Sequence, residues 1–238
     1  GGSDWQILND FAKNARVFNF KVKVSGDGSD ITFIWVENRS PGMGELWFKQ
    51  SKDRGNSWSQ NQLISTPEVG GRGLFGTIQN GKSFNFSQSQ DGKTKLLTFF
   101  ARSIISPDFP TAFQISSFNS GQTWSVASNK KYDIRQPYGD TFVSSDGSFI
   151  AYAYENYGNK ETQKQLRFSS TTDGINWSVK AQNTTGSLGN NGGRCVGFGN
   201  GTWVVGGDAT VQTSSNRNVL SYSVNGGSDW SNVEGYTG

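Results

Sequence analysis

Histidine is absent from this 238-residue chain, and cysteine occurs once, at Cys195. The commonest general base and the commonest metal ligand are therefore missing. No Cys/His zinc spacing exists, and no intrachain disulfide can form. Chemistry falls to arginines, carboxylates and tyrosine. Arg16, Arg102 and Arg194, with Lys82, could hold an anion, because the planar guanidinium makes two parallel hydrogen bonds to a carboxylate. Glu37, Asp140, Glu155 and Asp208 could supply the two carboxylates that glycoside hydrolysis needs. Arg39, Arg72 and Tyr157 complete the candidate ligand-binding set. No residue is assigned a catalytic role, and neither a metal nor a cofactor is expected. Cys195 reads as a small buried hydrophobe, since no histidine can activate its thiol.

These residues are scattered along the chain, so a framework must gather them. Hydrophobic residues make up 33% of the chain, aromatics 13%, and glycine numbers 31. Aromatic and β-branched residues suit pleated surfaces, and glycine suits tight turns. With one Met and few Ala or Leu, helix is poorly supported. An all-β fold is expected. The net charge of +3 is spread without a Lys/Arg run, unlike the concentrated basic stripe of a nucleic-acid binder. No apolar run is long enough to span a membrane, and no signal peptide is read.

Two markers repeat in phase. Tryptophan recurs at Trp5, Trp58, Trp124, Trp177 and Trp230, each three residues after a glycine, at steps of 53, 66, 53 and 53. Between them lie Asx-Gly pairs at Asp27-Gly28, Asp91-Gly92, Asp146-Gly147 and Asn200-Gly201. Such pairs favour type I′ hairpins, with positive φ at both central residues. About eleven extra residues sit between Trp58 and Asp91. Each period holds four short strand patterns: before the Asx-Gly pair, after it, before the tryptophan, and after it. Four antiparallel strands per period describe the blade of a β-propeller, about four blades in all. A lone blade cannot bury both faces, whereas stacked blades can.

The windows "SKDRGNSW", "SFNSGQTW", "STTDGINW" and "SVNGGSDW" carry a pattern S-x-D-x-G-x-x-W that resembles the Asp box, the bacterial neuraminidase repeat of sialidase-like propellers. The match rests on Asp53, Gly55 and Trp58; Asn119, Gly121 and Trp124; Gly174 and Trp177, with Asp173 one place late; and Asn225, Gly227 and Trp230. The resemblance implies a capped turn, whose Asx oxygen accepts backbone N–H bonds while Trp packs between blades. Asp boxes lie on the rim, away from ligand sites, so fold does not fix function here. Sialidase chemistry would need three Arg on a carboxylate, a Tyr–Glu nucleophile and an Asp acid/base. Arg16, Arg102, Arg194, Tyr157, Glu155 and Asp140 are the available groups, but the Arg-Ile-Pro signature is absent.

The expected architecture is a single propeller domain over 1–238, with residues 1–10 as a redundant outermost strand. Trp5 and Trp230 then compete for one slot. Either the ring closes with one end spare, or the chain is a unit of a longer array or an oligomer. Propellers bind at one tunnel mouth, where first strands enter and second-to-third loops overhang. Strand entry brings Arg16, Lys82, Asp140 and Arg194. The loops bring Glu37, Arg39, Arg102, Glu155, Tyr157 and Asp208, and the insertion at 65–82 adds Arg72. The function expected is non-catalytic binding of a glycan, with anionic ones preferred, or of a protein, outside the cell or on its surface. The alternatives are a glycoside hydrolase and an assembly module closing by strand exchange. Trp35, Trp47 and Trp203 are expected in the core.

Overall fold

The structure is a computed structural model that describes residues 16–40, 43–64, 84–102, 110–126, 139–157, 164–182, 191–210 and 216–233. Each sequence period becomes one four-stranded antiparallel sheet. Sheet I is β1 (Arg16–Val24), β2 (Ile31–Ser40), β3 (Met43–Ser51) and β4 (Gln62–Leu63). Sheet II is β5 (Phe84–Gln88), β6 (Lys95–Arg102), β7 (Pro110–Ser117) and β8 (Ser125–Val126). Sheet III is β9 (Gly139–Val143), β10 (Ile150–Tyr157), β11 (Lys164–Thr171) and β12 (Ser178–Gln182). Sheet IV is β13 (Asn191–Gly199), β14 (Thr202–Thr210), β15 (Asn216–Ser223) and β16 (Ser231–Asn232). In every sheet the strands lie in chain order, as up-and-down blades require.

The sheets pack face to face in series, with β1 against β5, β5 against β9, and β9 against β13. Alternation along the strands explains the apolar layers between sheets. Between sheets I and II lie Ile34, Val36, Leu46, Phe48, Phe84, Phe86, Leu97 and Phe99. Between III and IV, Phe168, Trp203 and Val205 pack with Phe142, Phe149 and Phe198. Cross-seam hydrogen bonds fix the inner strands: Lys21 Nζ to Asn85 Oδ1 at 3.2 Å, and Ser87 Oγ to the Thr141 carbonyl at 2.7 Å. Among the described residues, no packing of this extent joins sheet IV back to sheet I.

The outer position of sheet IV is filled by β16, which follows Trp230 and pairs with β15. Residues 1–10, the expected redundant strand, lie outside the described residues. Trp35 and Trp203 are core residues, at 0% and 4% exposure, while Trp47 is half-buried. Cys195 corrects an expectation. It is exposed on β13, because it lies on the face of sheet IV turned away from sheet III.

Candidate functional site

At one end, the β1–β2, β5–β6 and β9–β10 connections share one compact design. Ser25, Ser89 and Ser144 each donate to the carboxylate two residues on, at 2.6, 2.7 and 2.6 Å. Asp27, Asp91 and Asp146 then accept the N–H of Ser29, Lys93 and Ser148, each at 3.0 Å. Four residues separate the closing pairs, such as Ser25 and Asp30, and Gly28, Gly92 and Gly147 have positive φ. Among the described residues, the three aspartates do not. The type I′ expectation is therefore wrong at these turns and holds only at Asn200-Gly201, with φ of 48° and 73°. The missed signal was the serine two places before each aspartate. Gly26 N–H bonds the Gln90 carbonyl at 2.7 Å, and Gln90 N–H bonds the Ser145 carbonyl at 2.9 Å, so these turns line up on one side.

The four tryptophan turns occupy the same end. In the first, Asp53 Oδ1 accepts from Ser51 Oγ (2.7 Å) and Ser57 N–H (2.8 Å), while Trp58 Nε1 donates to the Gly55 carbonyl (3.0 Å). Asn119 and Asn225 make the same acceptor bonds to Thr123 and Asp229 N–H, at 3.0 and 2.9 Å. In the third turn Asp173 takes this part, with Thr171 in place of the serine. Its loop is one residue shorter, and that is why the aspartate falls one place late in sequence. Gly121 approaches the Phe48 ring so closely that a Cβ would overlap it, tying the second tryptophan turn to sheet I.

The opposite end carries most of the candidate ligand residues. Register sets Arg16 opposite Asn38 and Val17 opposite Glu37, with Arg39 beyond. Arg102 ends β6 opposite Pro110, and Tyr157 ends β10 opposite Lys164. Asp140 opens β9, and Asp208 pairs with Gly192 near the start of β13. Arg194 sits at a register shift between Gly193 and Cys195. Glu37, Arg39, Arg102, Glu155, Tyr157 and Asp208 were expected in loops. They lie instead within strands, because the β2, β6, β10 and β14 ladders continue past the apolar run. Arg72 and Lys82 lie outside the described residues.

Three carboxylates at this end have defined surroundings. Asp140 is half-buried at the seam between sheets III and IV. Its Oδ1 accepts the Thr141 N–H (2.9 Å) and its Oδ2 the Val196 N–H (3.3 Å), bridging inner strands β9 and β13. Glu37 is 2% exposed and accepts from Trp35 Nε1 at 2.9 Å. Directly opposite on β3 stands Glu45, which accepts from Trp47 Nε1 at 3.2 Å. Like charges facing across strands are unfavourable by themselves. The indole N–H groups offset part of that cost. Glu45 was not singled out from sequence, because strand pairing alone brings it to Glu37. Among the described residues, no group of three or more His, Cys, Asp or Glu could hold a metal ion, and no helix is long and apolar enough to cross a membrane.

No family model matches the chain, and no curated protein does. Solved structures do match. An α-L-arabinanase of Penicillium chrysogenum, complexed with arabinobiose, superposes with TM-score 0.51 at 16% identity, over 93% of this chain and 68% of that one. An α-L-arabinofuranosidase of Fusarium graminearum superposes with TM-score 0.54 at 13% identity, over 92% of this chain and 68% of that one. A Trypanosoma rangeli sialidase gives 0.50 at 13%, over 91% of this chain and 38% of that one. Likeness at such low identity speaks for the fold. With its four-stranded sheets in series, the chain has the architecture of the β-propellers.

Proposed function

We propose that this protein acts on glycans at the end of the propeller opposite the turns, as a glycoside hydrolase using paired carboxylates. The observation that carries the reading is Asp140. It is a half-buried carboxylate bridging two inner strands at the end where Glu155 and Asp208 also lie. Hydrolysis requires a second carboxylate roughly 5–10 Å away. Glu155 on the neighbouring strand and Asp208 on the next sheet are the candidates. The structural likeness to arabinan-degrading enzymes makes α-L-arabinofuranosides and linear arabinan the first substrates to try. Wild type should release product from one of them. Asp140→Asn should lower the rate by about 10²–10⁴-fold, the range for a general acid or base. One of Glu155→Gln and Asp208→Asn should do the same. No turnover by wild type on arabinosides, galactosides or sialosides would remove the hydrolase reading.

Non-catalytic binding is the second reading. It is favoured by the use of both Asp140 oxygens on backbone N–H groups, which is a structural task. In that reading Arg16, Arg102 and Arg194 would prefer an anionic glycan. Binding that Arg194→Ala weakens, without cleavage, would support it. Both readings suit a protein working outside the cell, and the tryptophan turns fit the Asp-box resemblance.

A further inference from the structure

We propose a second binding site, for an uncharged saccharide ring, in the seam between sheets III and IV at the turn end, opposite the candidate mouth. At the other two seams the turns close the gap. Gly26 N–H bonds Gln90 across the first seam, and a Cβ on Gly92 would come within 2.7 Å of Asp30. Across the second, Gln90 N–H bonds Ser145, and Gly147 presses on Thr94. The fourth turn has only Asn200 and Gly201 between Gly199 and Thr202, two residues fewer than its counterparts. It cannot reach sheet III, and a Cβ on Gly197, Gly199 or Gly201 would meet nothing within 4 Å.

The gap is a cavity of about 420 Å³, within the range of roughly 300–1,000 Å³ typical of small-molecule sites. Phe149, Phe198 and Trp203 form its aromatic wall, and Thr172, Asn176 and Ser178 bring hydroxyl and amide groups. The wall is set in advance: Trp203 lies 4.7 Å from Phe198 and 5.4 Å from Phe149, centroid to centroid. Asn176 is fixed by donating to Asp173 Oδ2 at 2.8 Å. Aromatic rings take the C–H face of a sugar, and hydroxyl and amide groups take its hydroxyls. No lining side chain is ionisable. A charged ligand would enter without a counter-charge, at high cost.

The test is ligand-observed saturation-transfer NMR on the full chain. The panel holds neutral methyl glycosides of arabinose, galactose and glucose, a methyl glucuronide, and p-cresol. At least one neutral glycoside should bind wild type. Thr172→Trp, from an exposed position, should fill the cavity and weaken that binding at least tenfold. Replacing Asn200-Gly201 with the four-residue Ser145–Ser148 turn should do so independently. Both filled variants change the turn end alone, so a loss they share separates the site from the mouth. The proposal is overturned if no neutral glycoside binds, if only the glucuronide or p-cresol binds, or if both filled variants bind as wild type does.

Discussion

Four exposed turn carboxylates are held in their ionised form by hydrogen bonds within their turns. Hydrogen bonds from Ser25 and Ser29 hold Asp27 down to about 2, from an ordinary 3.8. Ser57 and Ser51 do the same for Asp53, and Ser144 and Ser148 for Asp146, each also to about 2. Asn176 and Thr171 push Asp173 lower still. A carboxylate with a depressed folded pKa stabilises the fold above its unfolded value and loses that contribution as pH falls through the folded one. Melting temperature should therefore fall between about pH 4 and pH 2, modestly, because solvent screens these exposed groups. Asp53→Asn should keep the neutral-pH melt close to wild type, since Asn119 and Asn225 build the same turn. It should also soften the acid drop. Lys95 is the opposite kind of residue: its side chain is fully buried and paired with Asp30 at 3.2 Å, with a further bond to the Gly92 carbonyl. Burial pulls its pKa down, against the attraction of Asp30. Lys95→Met should cost about 3–5 kcal/mol in urea unfolding, because Asp30 is left buried without a counter-charge. Adding Asp30→Asn should recover most of it.

At the scale of elements, the strands were legible and the turns only partly so. Period-2 apolar runs and two phased markers located every strand of the four sheets. The ladder then ran on through Glu155–Tyr157 and Asp208–Thr210, where polar residues had suggested loops. Backbone pairing tolerates polar side chains at a sheet end, so composition misjudged the boundary. The Asx-Gly pairs marked turn positions but not turn type. The deciding contact is a serine hydroxyl bonding the aspartate two residues on, and a dipeptide rule does not include it. Glycines separate the same way. Gly201→Ala should cost about 1–2 kcal/mol, the penalty of left-handed backbone alone. Gly121→Ala carries that penalty and also drives a methyl into Phe48, which should add about 1–3 kcal/mol. Chemical denaturation of the two variants side by side measures the difference.

Across the whole molecule, the series of sheets leaves two faces uncovered among the described residues. On sheet I, Phe20 is 61% exposed, with Val22 and Val24 beside it along β1. On sheet IV, Cys195 and Tyr222 are exposed. Cys195 was expected in the interior because a blade read from sequence is given two neighbours. Exposed instead, it should react stoichiometrically with a thiol reagent under native conditions, at a rate close to that of the unfolded chain. The candidate mouth was legible only as a set of strand ends. Which carboxylates meet depends on seam geometry, such as the Asp140–Val196 bond, that no single blade encodes. Hydrogen exchange of the full chain, with and without an arabino-oligosaccharide, tests the proposed glycan site at the end opposite the turns most directly. Bound sugar should slow exchange together in 139–143 and 191–196, the inner strands that Asp140 joins. Binding that leaves both segments exchanging as in the free protein would contradict it.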